Sequence, residues 1–155
     1  MRLMLLGVIS DTHGLLRPEA LAALTGVEHI IHAGDIGSPD IVPRLREIAP
    51  VTAIRGNVDT QAWARELPSW EAVTLASRTF YIIHDLGDLD LDPVGAGFDM
   101  VISGHSHMPK IETRQGVVFL NPGSAGPRRF RLPVTIATVD LSAEPLRPVM
   151  QRIVD

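Results

Sequence analysis

The sequence contains no cysteine among its 155 residues. Disulfide bonds, thiolate nucleophiles, iron–sulfur clusters and cysteine-ligated zinc are therefore excluded. A metal held by side chains of this chain has to use carboxylate, imidazole or amide ligands.

Long apolar runs, positive charge and aromatic side chains are also scarce. The apolar runs fall far short of the ~20 residues that span a bilayer, so we expect no membrane association. Acidic side chains outnumber basic ones by 18 to 14, and there are only two tryptophans and one tyrosine. Binding to a long nucleic acid is not expected, because it needs a basic surface and stacking rings.

What is present is typical of one globular domain spanning residues 1–155, with 45% hydrophobic and 21% charged residues. The apolar start, Met1 to Ser10, superficially resembles a signal peptide. It stops at Asp11 without a small-residue cleavage pattern, so it predicts a buried first strand and a cytoplasmic protein.

Apolar segments and turn residues predict strands and helices that alternate at first, followed by a strand-rich remainder. Strands are predicted at 3–9, 29–33, 51–54, 71–76, 78–84, 100–103, 110–114, 117–121, 134–141 and 146–154. Helices are predicted at 18–24 and, with Ser38 as N-cap and Pro39 at the first position, up to about residue 48. Gln115-Gly116 is typical of a hairpin turn. The pattern indicates an α/β domain of two packed sheets with helices outside.

Polar residues follow five of these strands, at the point where each strand ends. In chain order they are Asp11 and His13, Asp35, Asn57 and Asp59, His84, and His105 and His107. Ligands of α/β sheets collect outside the carboxyl ends of strands, so these turns are expected to converge on one site. Each turn alone has an ordinary structural explanation, but together they include four of the six histidines.

Carboxylate, imidazole and amide ligands suit Mn²⁺, Fe²⁺, Zn²⁺, Co²⁺ or Ni²⁺ better than Ca²⁺. Seven candidate ligands exceed what one open catalytic ion uses, whereas two ions about 3.5–4 Å apart would account for them. We expect two divalent transition-metal ions, with Mn²⁺ the first choice. Such a pair supplies a hydroxide near neutral pH for attack on phosphorus.

The ordered motifs Asp11-x-His13, Gly34-Asp35, Gly56-Asn57-x-Asp59, His84 and Gly104-His105-x-His107 resemble the calcineurin-like metallophosphoesterase superfamily. The short length and Asn121-Pro122-Gly123-Ser124 are similar to its small YfcE-type phosphodiesterase branch, to which the retromer metallophosphoesterase-like subunit is related in fold.

The resemblance implies a four-layer α/β/β/α sandwich of two mixed sheets and assigns the ligands by position. Asp11, His13 and His107 would hold one ion, and Asn57, His84 and His105 the other. Asp35 would bridge the two ions. Asn57 and His105 would also orient the phosphoryl group of the substrate.

Two positions depart from the family pattern. Val58 stands where many members carry a histidine that protonates the leaving group. Asp59 is a candidate replacement as general acid, although a hydrogen bond that supports a ligand is the alternative that we favour. His84-Asp85-Leu86 replaces the His-Gly-His often found in related chains, so the nearby pocket wall is expected to differ.

Other polar residues have weaker signals. The basic cluster Arg128-Arg129-Phe130-Arg131 is either a solvated loop or an anion anchor, with Arg128 the arginine expected to enter the site. His32 is expected in the core or behind a ligand, and His29 on the surface. Asn121-Pro122-Gly123-Ser124 is expected to be an architectural turn behind the site.

The leading hypothesis is a two-metal phosphoesterase, more specifically a phosphodiesterase, acting on a small phosphoester or nucleotide. A catalytically weak protein-interaction scaffold of the same fold is the alternative, and a nuclease is a third. Exposed apolar loops are compatible with a homo-oligomer.

Overall fold

The computed structural model describes residues 4–155 and contains ten strands and three short helices within them. The strands are β1 (Leu5–Ile9), β2 (His29–His32), β3 (Val51–Ala53), β4 (Trp70–Leu75), β5 (Arg78–Ile83), β6 (Met100–Ile102), β7 (Lys110–Arg114), β8 (Val117–Asn121), β9 (Val134–Asp140) and β10 (Val149–Val154). The helices are α1 (Pro18–Ala23), α2 (Ile41–Arg46) and α3 (Pro93–Ala96), and 3₁₀ turns occur at Ala62–Glu66 and Leu86–Asp88.

Each half of the fold is a mixed five-stranded sheet. The first sheet has the order β10-β9-β1-β2-β3, in which β1, β2 and β3 are parallel and β9 and β10 antiparallel. The second has the order β4-β5-β6-β8-β7, in which β5, β6 and β8 are parallel. Strands β1, β2, β3, β5 and β6 therefore end beside one another, and each leads into one of the polar turns.

Three apolar clusters hold the layers together. The central one lies between the sheets and joins Val8 and Ile31 of the first to Phe80 and Ile102 of the second. A second cluster packs α1 and α2 on the outer face of the first sheet. The third covers the outer face of the second sheet with the segment between β5 and β6. This layering confirms the predicted α/β/β/α sandwich of two mixed sheets.

Most predicted strands agree with the structure to within one residue at each end. The start of the first one, at Leu3, lies outside the described residues. Gln115 and Gly116 both have positive φ, 50° and 84°, as a type I′ hairpin turn requires.

Two predicted boundaries were wrong. Helix α2 begins at Ile41 with Asp40 as N-cap, because the Ser38 hydroxyl bonds to the Asp40 side chain instead of capping a helix. The last strand begins at Val149 rather than at 146, since Pro148 has no N–H for the ladder. None of the helices within residues 4–155 has the length and hydrophobicity to cross a membrane.

Candidate metal centre

The loops that follow β1 and β2 run side by side and carry the first candidate ligands. Main-chain N–H groups of Asp11, His13 and Gly14 donate to the carbonyl oxygens of Gly34, Asp35 and Ile36 at 3.0, 2.9 and 2.8 Å. This short ladder continues the parallel pairing of β1 and β2 beyond the strands. It brings the carboxylate of Asp11 next to that of Asp35.

Five of the seven candidate ligands lie in the left-handed region of backbone conformation. Their φ angles are 55° at Asp11, 47° at His13, 54° at Asp35, 72° at His105 and 63° at His107. Such angles are uncommon away from glycine and cluster at functional sites, where the surrounding structure holds them. They turn side chains from successive loops toward one point.

Asp11, His13 and His107 form the first group of potential ligands. One oxygen of Asp11, Oδ1, lies 3.6 Å from His13 Nε2 and 3.5 Å from His107 Nε2. The other oxygen, Oδ2, accepts hydrogen bonds from the Ser10 hydroxyl at 2.7 Å and the His105 main chain at 3.1 Å. The carboxylate is thus oriented by one oxygen and directed at the histidines with the other.

Asp35, His84 and His105 form the second group. His84 Nδ1 lies 2.7 Å from the carbonyl oxygen of Ala33, so Nδ1–H donates there and the lone pair of Nε2 is available to a ligand. Asn57 joins this group, because its Oδ1 lies 3.2 Å from His105 Nδ1.

Asp35 lies between the two groups. Its Oδ2 is 3.1 Å from His84 Nε2 and 3.6 Å from His13 Nε2, while Val58 N–H donates to Oδ1 at 3.1 Å. The structure therefore brings all seven predicted ligands together, with Asp35 between the two groups.

Several features of the donor set fit cations. Among the described residues, three buried side-chain atoms lack a hydrogen-bond partner, which is costly for polar atoms: Asp11 Oδ1, His84 Nε2 and His107 Nδ1. His13 Nε2 and His107 Nε2 lie 3.2 Å apart, where two lone pairs repel each other unless a proton or a cation intervenes. The residues present thus match the carboxylate–imidazole ligands of transition metals.

Contacts within this cluster lower the pKa of Asp35 and raise that of His84. Burial raises the pKa of Asp35, but its contacts with His84 and Val58 outweigh burial and hold the pKa below its usual value. Burial lowers the pKa of His84, but Asp35, the Ala33 carbonyl and Asp11 together raise it. The ionised form of Asp35 is thus favoured, as a metal ligand requires, and the raised pKa of His84 reflects the carboxylates of Asp35 and Asp11 beside it.

Asp59 supports the site from behind. Its buried carboxylate accepts main-chain hydrogen bonds from Ile36 at 3.0 Å, Gly37 at 2.9 Å and Gly56 at 2.9 Å. These donors belong to the loops that carry Asp35 and Asn57. The contacts match the supporting alternative for Asp59 rather than the general-acid one, because both oxygens are engaged by the main chain.

His32 is fully buried and also lies behind the site. Gly34 N–H donates to its Nδ1 at 3.1 Å, so Nε2 carries the proton and donates to the Thr12 hydroxyl 3.0 Å away. That hydroxyl donates in turn to the Ile36 carbonyl. Burial lowers the pKa of His32 to about 4. His29, expected on the surface, is half-buried and contacts the Thr52 hydroxyl at 2.8 Å.

The Asn121–Ser124 turn holds two of the ligand loops, as predicted for an architectural turn. Asn121 Nδ2 donates to the Gly104 carbonyl at 2.9 Å, and the Ser124 hydroxyl donates to the Asp11 carbonyl at 2.9 Å. Gly104 itself allows a close approach, since a Cβ there would lie 2.6 Å from Asp11 Oδ2.

The arginine expected to enter the site points elsewhere. The exposed guanidinium of Arg128 donates to the carbonyl oxygen of Asp155 at 2.6 Å, which ties it to the end of the chain. Arg129 is close enough for its charge to contribute to the lowered pKa of His107, which burial chiefly causes. The sequence alone could not show which of the two arginines lies near the site, because the direction of each side chain depends on the fold of the loop.

The profile of the calcineurin-like phosphoesterase superfamily domain matches residues 4–144. The chain belongs to this superfamily. A probable metallophosphoesterase of Methanothermobacter thermautotrophicus is 39% identical, and the match covers 93% of this chain and 92% of the relative. Phosphodiesterase YfcE of Escherichia coli is 28% identical over 84% of each chain.

The fold of this superfamily member is shared by a Vps29 of Entamoeba histolytica that was crystallised with Zn²⁺. The two match with a TM-score of 0.64 and 21% identity over 97% of this chain and 100% of that one. The resemblance to the calcineurin-like superfamily and its YfcE-type branch is thus confirmed, and with it a metal-dependent phosphoesterase family. The two ligand groups are candidate metal sites of this family member.

Proposed function

We propose that this protein is a phosphodiesterase with two divalent cations, held by the seven residues gathered at the strand ends. The observation that carries the proposal is the place of Asp35 Oδ2, between His84 Nε2 at 3.1 Å and His13 Nε2 at 3.6 Å. A carboxylate in that position could be shared by two cations, the role that the family resemblance implies for Asp35. Two of the three unpartnered buried atoms, Asp11 Oδ1 and His84 Nε2, point to the same centre.

Divalent cations bound at these positions would supply Lewis acidity, which activates water and draws charge from phosphoryl oxygens. The ligand set suits Mn²⁺, our first choice, as well as Fe²⁺, Zn²⁺, Co²⁺ and Ni²⁺. The protein's own contribution is orientation. Asp35 and Asn57 come from loops fixed by Asp59, and His84 is held by the Ala33 carbonyl.

Asn57 and His105 face the substrate side. The Nδ1 of His105 and the Oδ1 of Asn57 are 3.2 Å apart, and both side chains lie on the exposed side of the site. The amide of Asn57 keeps a donor that suits a phosphoryl oxygen. Val58 is 45% exposed and offers no proton, so good leaving groups are expected to react fastest.

Charge beside the site favours a diester over a monoester. The cavity that adjoins His84 and His105 is lined by Asp85, Asp88 and Asp90. A diester carries one negative charge fewer than a fully ionised monoester, so these carboxylates repel it less. We propose a small phosphodiester or nucleotide as substrate and a cytoplasmic location, without a long nucleic acid or membrane as partner.

Metal analysis of protein purified without chelator, together with assays on bis(p-nitrophenyl) phosphate and p-nitrophenyl phosphate, tests the proposal. We expect about two transition-metal ions per chain and faster turnover of the diester. Asp35→Asn should lose hydrolysis and metal, whereas Asp92→Asn, a control at an exposed helix cap, should keep both. One ion or none, or a diester rate that survives chelation, would contradict the proposal.

The scaffold alternative is favoured by one finding, the fold shared with Vps29. A protein that binds two metal ions but hydrolyses no phosphomonoester, diester or cyclic nucleotide would support it. The complete set of candidate ligands weighs toward the enzyme.

A further inference from the structure

A cavity of about 600 Å³ adjoins the second group of candidate ligands. It lies on the outer face of the second sheet, and Asn57, His84 and His105 form part of its wall. Its volume is in the range of sites for small molecules. A substrate whose phosphoryl group lies at the cations therefore has room for one arm in this cavity.

The floor of the cavity comes from one face of the β4–β5 hairpin. Trp70 pairs with Ile83, the residue directly before His84, and Ala72 pairs with Tyr81. Trp70 stacks on Tyr81 with ring centroids 5.6 Å apart, and Phe98 contacts Tyr81 edge-on with ring centroids 5.3 Å apart. Tyr81 is 4% exposed but Trp70 is 53% exposed, so Trp70 is the ring available to a ligand.

The rim of the cavity is acidic. Asp85, Asp88 and Asp90 line it together with Arg55, whose guanidinium donates to the Leu67 carbonyl at 2.7 Å. Carboxylates accept hydrogen bonds from hydroxyl and amino groups but repel a second phosphate. The wall thus suits a flat arm that carries O–H and N–H donors and no further negative charge.

We propose that this cavity binds the nucleoside of a phosphodiester that has a single phosphoryl group, with the base stacked on Trp70 and the sugar hydroxyls toward the carboxylates. The proposal rests on the proposed function, because the cations hold the phosphoryl group. A quaternary ammonium arm fits less well, since it needs several open aromatic faces and, of the rings of Trp70, Tyr81 and Phe98 that line the cavity, that of Trp70 alone is exposed.

Isothermal titration calorimetry with the zinc-loaded protein tests whether the base contributes to binding. Adenosine 5′-monophosphate should bind about 5- to 150-fold more tightly than ribose 5-phosphate, the range expected for one stacked base. Trp70→Ala should remove this advantage and Trp70→Phe should restore most of it. Trp63→Phe, which changes a tryptophan that bonds to Gln61 outside the cavity wall, should leave it unchanged.

Equal affinities for the two phosphates in the parent protein would overturn the proposal while the proposed function stands. Phosphocholine that binds more tightly than ribose 5-phosphate, and loses this with Trp70→Ala, would also overturn it in favour of a cationic arm.

A second measurement separates the cavity from the metals. In metal-free Trp63→Phe protein, Trp70 is the one remaining tryptophan, and adenosine, but not ribose, should quench its fluorescence. Quenching by adenosine in a protein that hydrolyses no phosphoester would support the cavity and contradict the proposed function. Absence of quenching in a protein that binds adenosine 5′-monophosphate no better than ribose 5-phosphate would refute the base site.

Discussion

Replacement of Asp59 by alanine tests whether its buried carboxylate holds the ligand loops. The carboxylate accepts three main-chain hydrogen bonds, from Ile36, Gly37 and Gly56, at 2.9–3.0 Å. A hydrogen bond to a charged group contributes ~1.5–3 kcal/mol, which sets an upper range of ~4.5–9 kcal/mol for three. Water that enters the space left behind satisfies part of the freed donors, so we expect a loss of about 3–5 kcal/mol in the free energy of unfolding.

Urea unfolding of the metal-free protein measures this loss. The expected loss is a large part of the ~5–15 kcal/mol that stabilises a typical domain, so Asp59→Ala can unfold the protein. Asp59→Asn therefore serves as a second variant. An asparagine oxygen can keep the bonds to Ile36 and Gly56 but sets an amide donor against Gly37 N–H, so a smaller loss is expected. Asp92→Ala is the matched control, because Asp92 is exposed and accepts one main-chain bond, at 3.1 Å from Val94. It should cost ~1 kcal/mol.

The leaving-group dependence of hydrolysis separates the two roles of Asp59. Positioning of loops affects all substrates, so Asp59→Asn should lower turnover of aryl and alkyl phosphodiesters by a similar factor. A general acid matters most for poor leaving groups, so a much larger loss with alkyl esters would refute the positioning role. So would equal stabilities of Asp59→Ala and Asp92→Ala.

Three further outcomes are expected. The pKa of His32 is about 4 in the folded protein and 6.5 for the unperturbed side chain. The contribution of the neutral His32 to stability is therefore complete above pH 6.5 and declines as the pH falls toward 4. Urea unfolding of metal-free protein should show the advantage of the parent over His32→Gln shrinking by ~2 kcal/mol between pH 7 and pH 5; a constant difference would contradict the neutral, buried tautomer. Gly104→Ala should weaken metal binding at least about tenfold in competition with a chelator, because its Cβ would clash with the Ser10 hydroxyl and lie 2.6 Å from Asp11 Oδ2, and these two groups orient the Asp11 carboxylate; unchanged affinity would contradict the need for this orientation. Removal of metal should lower the unfolding free energy by ~2.7 kcal/mol for each bound ion, relative to protein in a hundredfold metal excess over the dissociation constant, as measured by thermal unfolding; identical melting curves would contradict a bound cation.

The order and type of the elements were largely predictable from local signals. Apolar segments marked the strands, and Gln115-Gly116 marked a hairpin because two successive residues with positive φ define its turn. The helix start near Ser38 was mispredicted because two side chains, Ser38 and Asp40, competed for the same role and bonded to each other. Hydrogen bonds between neighbouring side chains depend on local geometry, which the helix-capping preferences of single residues do not describe.

The sequence by itself determined the seven candidate ligands, their place at strand ends and the superfamily. The signal was strong because parallel strands bring their carboxyl ends to one edge wherever they lie in the chain. Only the tertiary structure decided which arginine lies near His107, what Asp59 and His32 bond to, and that Trp70 opens onto a cavity beside His84. Those features depend on contacts between residues distant in sequence, which form only when the sheets and loops pack together.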